Sequence, residues 1–250
     1  MNVKKTNNMK ATGITMLVYG KPGTGKTTLA GTLPPEETLL INIEGGTGVL
    51  SDKPIDMVEI DKNLGNLELI LEQLDAGTKY KHIFFDSATE LEMAMLVYLG
   101  SQGKLHGVPE MQHYQRVQFG IRRILRRLRD LKDRGINVIV TAHEMDIDTQ
   151  LENGQTITKT IPALSKRVVF EVCGLFDIVA HLEISSKEGH EGERGLRLDP
   201  TPEIEAKNRY AHKWTDESKG RWFLLPKGEN NLEKMFAIIN QNPAQSGEGE

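Results

Sequence analysis

The stretch Gly20-Lys21-Pro22-Gly23-Thr24-Gly25-Lys26-Thr27-Thr28 brings together glycines, a lysine and hydroxyls at the spacing G-x-x-x-x-G-K-T. That pattern is a Walker A phosphate loop, here read as Gly20, Pro22, Gly23, Thr24, Gly25, Lys26, Thr27 and Thr28. Its glycines let the backbone turn tightly, so that successive N–H groups point into one concavity and bind phosphate oxygens. A helix start after the loop adds partial positive charge. Lys26 is expected to reach the β- and γ-phosphates of a nucleotide, and the Thr27 hydroxyl to ligate Mg²⁺. Two acids and a histidine end later apolar runs. Asp86 closes His82-Ile83-Phe84-Phe85-Asp86-Ser87, the Walker B pattern, and is expected to hold Mg²⁺ beside Thr27. Glu44 closes Thr38-Leu39-Leu40-Ile41-Asn42-Ile43, and a carboxylate there could polarise a water for in-line attack on the γ-phosphate. His143 follows Asn137-Val138-Ile139-Val140-Thr141-Ala142.

The elements around these residues must hold them at one place. Ile14 to Tyr19, 38–43, Ile55 to Ile60, 82–87 and 137–142 read as strands, because short apolar, β-branched runs suit a buried sheet. Helical spacing is found at about Lys26 to Leu33, Leu64 to Leu74, Leu91 to Leu99 and Val117 to Arg134. Strands alternating with helices imply a parallel sheet covered on both faces. In such sheets ligands bind at the carboxyl ends of the strands, where the phosphate loop, Glu44, Asp86 and His143 all lie. Further on, 145–165 is polar and reads as a loop or as a hairpin about Asn153-Gly154. A helix is expected over Lys166 to Phe176 and a strand over Asp177 to Ile184. Antiparallel strands are expected at Gly195 to Leu198 and Glu203 to Arg209, and a short helix over Leu232 to Ile239. The domain reading is a flexible arm over 1–12, one nucleotide-binding domain over 13–239 and a disordered acidic tail over 240–250.

Bulk composition narrows the field. With 38% apolar and 26% charged residues, the 250-residue chain can build a core, and its net charge of −4 advertises no polyanion partner globally. Cys173 is the only cysteine, which excludes internal disulfides and a cysteine zinc cluster; its apolar neighbours suggest a buried thiol. Neither a signal peptide nor a run of membrane-spanning length is present, so a cytoplasmic protein without membrane contact is expected. Met93, Met95 and Met111 read as core filler.

The acids also restrict the reaction. Ser87 and Ala88 follow Asp86, so the class with a catalytic glutamate directly after the Walker B aspartate loses support, and the N-K-x-D base-reading motif is absent. Leu40-Ile41-Asn42-Ile43-Glu44-Gly45 resembles the RecA-type strand that ends in the catalytic glutamate. Lys207-Asn208-Arg209 is similar to the basic-Asn-basic triplet that RecA-type filaments insert into the neighbouring subunit's ATP site. His143 stands where that group carries a polar sensor, usually glutamine, so the histidine is a departure. Over roughly Thr12 to Ile239, ending in Arg221-Trp222-Phe223-Leu224-Leu225-Pro226 and Asn231 to Phe236, the chain resembles phage-encoded RecA-like ATPases of the single-strand annealing (Sak-type) group.

The resemblance implies a RecA-like core with a C-terminal antiparallel extension, ATP and Mg²⁺ as ligands, and head-to-tail assembly into a ring or filament. It also implies single-stranded DNA as partner, a single-strand-binding protein as a further one, and a bacterial host cell as location. In that picture Lys26, Glu44, His143, Lys207 and Arg209 serve catalysis, the last two in trans, where a cation stabilises charge developing on the transferred phosphoryl group. As a plain strand, the triplet would instead show alternate basic side chains to solvent. The DNA loops of the RecA group fall here on Gly100 to Arg116 and Met145 to Lys166, offering Lys104, His113, Tyr114 and Arg116, then Lys159, Lys166 and Arg167. The arginine-rich helix fits a solvated face or subunit contact as well as DNA. Two other functions stay open: a regulatory RecA-fold ATPase that binds a protein, and a small-molecule phosphotransferase, although no arginine-bearing lid is evident.

Overall fold

The structure, a computed structural model, describes residues 13–104, 107–214 and 220–240. The expected arm over 1–12 lies outside them, as does the expected tail apart from Asn240. Five strands appear where apolar runs announce them: β1 (Thr15–Tyr19), β2 (Thr38–Asn42), β3 (Asp56–Glu59), β4 (His82–Asp86) and β5 (Asn137–Ala142). They are parallel, in the spatial order β1-β5-β4-β2-β3. On the other side of β1 lies β8 (Ile178–Ile184), also parallel. Beyond it the sheet turns antiparallel through β9 (Arg194–Arg197) and β11 (Trp222–Leu224), while β10 (Lys207–Asn208) pairs with the start of β8. The fold is therefore α/β, a mostly parallel sheet with an antiparallel extension.

Both faces of the sheet are covered, because alternate side chains of each strand point to opposite sides. Leu17, Tyr19, Ile41, Phe85 and Val140 pack under α1 (Leu67–Ala76), α2 (Ala88–Ser101), α3 (Met111–Asp130) and α4 (Val169–Leu175). Met16, Val18, Leu40, Phe84 and Ile139 pack under the short 3₁₀ helix Thr27–Thr32 and α5 (Asn231–Asn240). Cys173 is buried in the first layer, and burial pushes its thiol up to about 12, so it is an inert core group.

The polar stretch after β5 is a hairpin, β6 (Glu144–Gln150) with β7 (Thr156–Pro162), turned at Asn153-Gly154 where Gly154 takes φ +81°. Three sequence expectations are corrected. First, α3 starts at Met111 rather than Val117, capped by Glu110 and His113, so the irregular stretch after α2 is short. Second, Met93 and Met111 are exposed at 50% and 77%, and only Met95 packs against the core. Each of the two stands two residues, about 200° of helix, from a buried neighbour, Leu91 or His113, and so faces outward. Third, the strand expected over 203–209 shrinks to Lys207–Asn208, with Ile204 making one bridge to Thr160.

Candidate active site

Because β5 separates β1 from β4, the phosphate loop and Asp86 are not strand neighbours; they meet across the end of β5. Thr27 Oγ1 donates to Asp86 Oδ2 at 2.6 Å, and Thr141 Oγ1, from β5, donates to Asp86 Oδ1. Burial raises the Asp86 carboxyl, and the two hydroxyls and Lys26 work against that rise. Lys26 is 5% exposed; its Nζ donates to Gly20 O and Lys21 O at 2.9 and 3.0 Å, curling over the loop. Burial pulls the Lys26 ammonium down, opposed by the nearby Glu44, Asp86 and Glu144 carboxylates. Gly25 sits at φ +101°, a backbone conformation that a side chain would strain.

Glu44 and His143 lie side by side at the ends of β2 and β5. Glu44 Oε1 stands 3.2 Å from His143 Nε2. The outer atoms of the pair, Glu44 Oε2 and His143 Nδ1, are buried with no hydrogen-bond partner among the described residues. The backbone around them is fixed: Glu44 N donates to Asp86 O, His143 N to Thr89 Oγ1, and Ala163 N to His143 O. An adjacent carboxylate–imidazole group is fully engaged. His181 Nε2 is 2.8 Å from Glu144 and its Nδ1 is 2.9 Å from Glu183, which in turn accepts from Arg197 Nε at 2.9 Å. Burial lowers the His181 imidazole, but the two glutamates outweigh it and leave its proton held more tightly than usual.

Hard oxygen donors at Thr27 and Asp86, beside a buried lysine, suit Mg²⁺ bound jointly with phosphate oxygens. Among the described residues no cluster of three or more His, Cys, Asp or Glu side chains could hold a metal by itself.

Lys207 and Arg209 stand elsewhere. They flank the start of β8 at the amino ends of the strands, whereas the phosphate loop is at the carboxyl ends. Lys207 Nζ donates to the Cys173, Gly174 and Phe176 carbonyls and so caps α4. Arg209 pairs with the buried Asp177 at 2.9 Å. Asp177 also receives Thr15 Oγ1 and Lys132 Nζ; burial raises its carboxyl, and these donors more than reverse that, holding it below its ordinary value.

The residues expected at DNA are scattered and partly engaged. His113 is buried, with Nδ1 accepting from Glu110 N, and Lys159 is paired with Glu205 at 2.6 Å. Lys104, Tyr114, Arg116, Lys166 and Arg167 are exposed. On α3, Arg122 pairs with Glu171, Arg123 and Arg127 with Glu68, and Arg127 also with Asp75, which makes that face an intramolecular ionic seam. Sequence reasoning missed Thr141, whose hydroxyl orients Asp86, and the His181 group. A threonine on the strand beside Walker B was the one visible signal.

A family model described as "AAA domain" matches residues 12–210. Among solved structures, the flagellar accessory protein FlaH from Methanocaldococcus jannaschii is similar at TM-score 0.42 and 11% identity, over 75% of this chain and 78% of that one. The P4 protein of bacteriophage phi6, solved in complex with ADP, is similar at TM-score 0.34 and 13% identity, over 78% of this chain and 58% of that one. At these scores neither likeness bears on what the chain does. Among the described residues no helix is long and apolar enough to cross a membrane.

Proposed function

As this chain belongs to the AAA-domain family, we propose that it hydrolyses ATP with Glu44 as general base and couples that hydrolysis to single-stranded DNA in recombination or annealing. The observation that carries the chemistry is the Glu44–His143 pair, set beside Lys26, Thr27 and Asp86 and left with a buried, unpartnered oxygen on the glutamate. A buried acceptor without a donor asks for an explanation, and an attacking water supplies one. Glu44 takes a proton from that water as its oxygen bonds to the γ-phosphorus and the bond to the β–γ bridging oxygen breaks. Lys26 turns from the Gly20 and Lys21 carbonyls to the phosphates. Thr27 and Asp86 would hold Mg²⁺, which neutralises charge on the phosphate oxygens. His143 holds the Glu44 carboxylate and senses the terminal phosphate.

What supports the DNA reading is connectivity. The β6–β7 hairpin leaves directly from His143, and the exposed Lys166 and Arg167, whose side chains have no ion-pair partner among the described residues, follow it, so a polyanion there is joined to the sensor by a continuous element. Assembly head-to-tail would place one subunit's Arg209, half exposed at the far end of the sheet, near the next subunit's site; Arg209 would exchange Asp177 for phosphate. The test is ATP turnover with and without single-stranded DNA, with particle size followed by light scattering. Stimulation with growth in size supports the reading; unchanged turnover and a monomer throughout would remove the DNA part. A regulatory ATPase that binds a protein is the second reading, favoured by the exposed Met93 and Val97 on α2 and Met111 and Phe119 on α3. It predicts slow turnover that ignores DNA.

A further inference from the structure

The phosphate loop has two sides, and they are furnished differently. One side carries Lys26, Thr27, Asp86 and Glu44. The other opens into a cavity of about 600 Å³ that none of those four residues lines. Its near wall is Thr24, Gly25 and Thr28; Leu29, Leu224 and Leu225 supply apolar surface, and Arg194 lines it as well. We propose that this cavity receives the nucleoside of the bound nucleotide, and that Arg194, from the same chain, binds the phosphate nearest that nucleoside. The inference rests on the reading of the site as a triphosphate hydrolase.

The path of the ligand leads there. A polyphosphate whose end lies at Glu44 and whose oxygens follow the loop's N–H groups must leave past Thr28. The cavity begins at Thr28, and its volume falls in the range of small-molecule pockets, roughly 300–1,000 Å³. Leucine and proline side chains suit the faces of a flat base. Glu191, also in the lining, carries a carboxylate of the kind that accepts from ribose hydroxyls.

Arg194 is built for the role by its backbone. It pairs with Ile184 of β8 on one side, and its carbonyl accepts from Leu225 N at 2.8 Å on the other, so a sheet fixes its Cα. Its Nη1 lies 2.7 Å from where a side-chain carbon on Gly25 would stand, and the exposed guanidinium has no hydrogen-bond or ion-pair partner among the described residues. Lys207 and Arg209, by contrast, are engaged at the far end of the sheet. A planar, permanently charged fork free of other partners is the side chain best suited to grip phosphate oxygens.

Calorimetric titration with Mg–ATP and with Mg–tripolyphosphate separates the two parts of the site. The wild type is expected to bind Mg–ATP more than about tenfold tighter than Mg–tripolyphosphate, because only ATP fills the cavity. Leu224→Ala, at the half-exposed end of β11, should weaken ATP about three- to tenfold and leave tripolyphosphate unchanged. Arg194→Ala should weaken both ligands about tenfold or more, and Arg194→Lys should restore part of the loss. Thermal unfolding checks that each variant is folded. Equal affinity of the wild type for the two ligands, a Leu224→Ala effect that does not distinguish them, or no effect of Arg194→Ala overturns the inference while the hydrolase reading stands. Failure of the wild type to bind either ligand overturns the hydrolase reading and this inference with it.

Discussion

Two carboxylate–histidine groups stand one residue apart along the chain, at Glu44–His143 and at Glu144–His181–Glu183, and they are built to opposite rules. In the second, both imidazole nitrogens are engaged and Arg197 completes the charge balance. In the first, one contact holds the pair and its two outer atoms are buried without partners. A closed group of largely buried charges is a structural joint, destabilised when one member is removed and less so where that member is partly exposed. An open one is unfinished until a ligand completes it. Proximity of glutamate and histidine therefore does not by itself mark chemistry; under the proposed function, the unsatisfied valence does.

Substitutions can break that distinction. The largest effect belongs to the open pair: Glu44→Gln should keep nucleotide binding and lower turnover by about 10²–10⁴-fold, measured by phosphate release. Lys26→Ala should lose binding as well. Normal turnover by Glu44→Gln would mean that the base lies elsewhere. His143→Ala should lower turnover about 10- to 100-fold with little change in melting temperature, since it orients the carboxylate and caps nothing. For the closed group the pattern reverses. Glu183→Gln should destabilise by about 2 kcal/mol in denaturant unfolding, with turnover per folded molecule preserved. A collapse of turnover without loss of stability would erase the contrast.

The pH dependence sharpens it further. Burial raises the Glu183 carboxyl, but His181 and Arg197 more than reverse this, so its contribution is full above its ordinary value of 4.5 and is lost as pH falls through the depressed value. His181 is held above its ordinary 6.5, so its contribution is full below 6.5 and is lost as pH rises through the raised value. The stability gap between wild type and Glu183→Gln should thus be widest between those limits and narrow on both sides. The smallest expected effect is at the surface: Lys166→Ala with Arg167→Ala should weaken stimulation by single-stranded DNA about two- to fivefold, leaving turnover without DNA unaltered.

How much of this was legible beforehand depended on range in sequence. Strands buried on both faces read as unbroken apolar runs, so β1, β2, β4 and β5 were plain, and with them the residues at their carboxyl ends. Partnership across about 30 or more residues was not. Arg123 and Arg127 look like a free basic face until Glu68 and Asp75 are seen beside them, 52 to 59 residues away. His113 looks like a loop ligand because the helix start it caps carries no apolar stripe of its own. The resting partners of Lys207 and Arg209 were hidden too, since nothing local shows that the α4 carbonyls and Asp177 hold them within the chain.

The β6–β7 hairpin carries one more lesson. Its seven cross-strand pairs form an arm of about 20 Å, joined to the body where Ala163 N donates to His143 O and propped where Thr160 meets Ile204. Under the proposed function such an arm would serve as a crank. A load on its outer turn would arrive at the histidine as a small rotation, and a shift of the histidine would be magnified into a sweep of the turn.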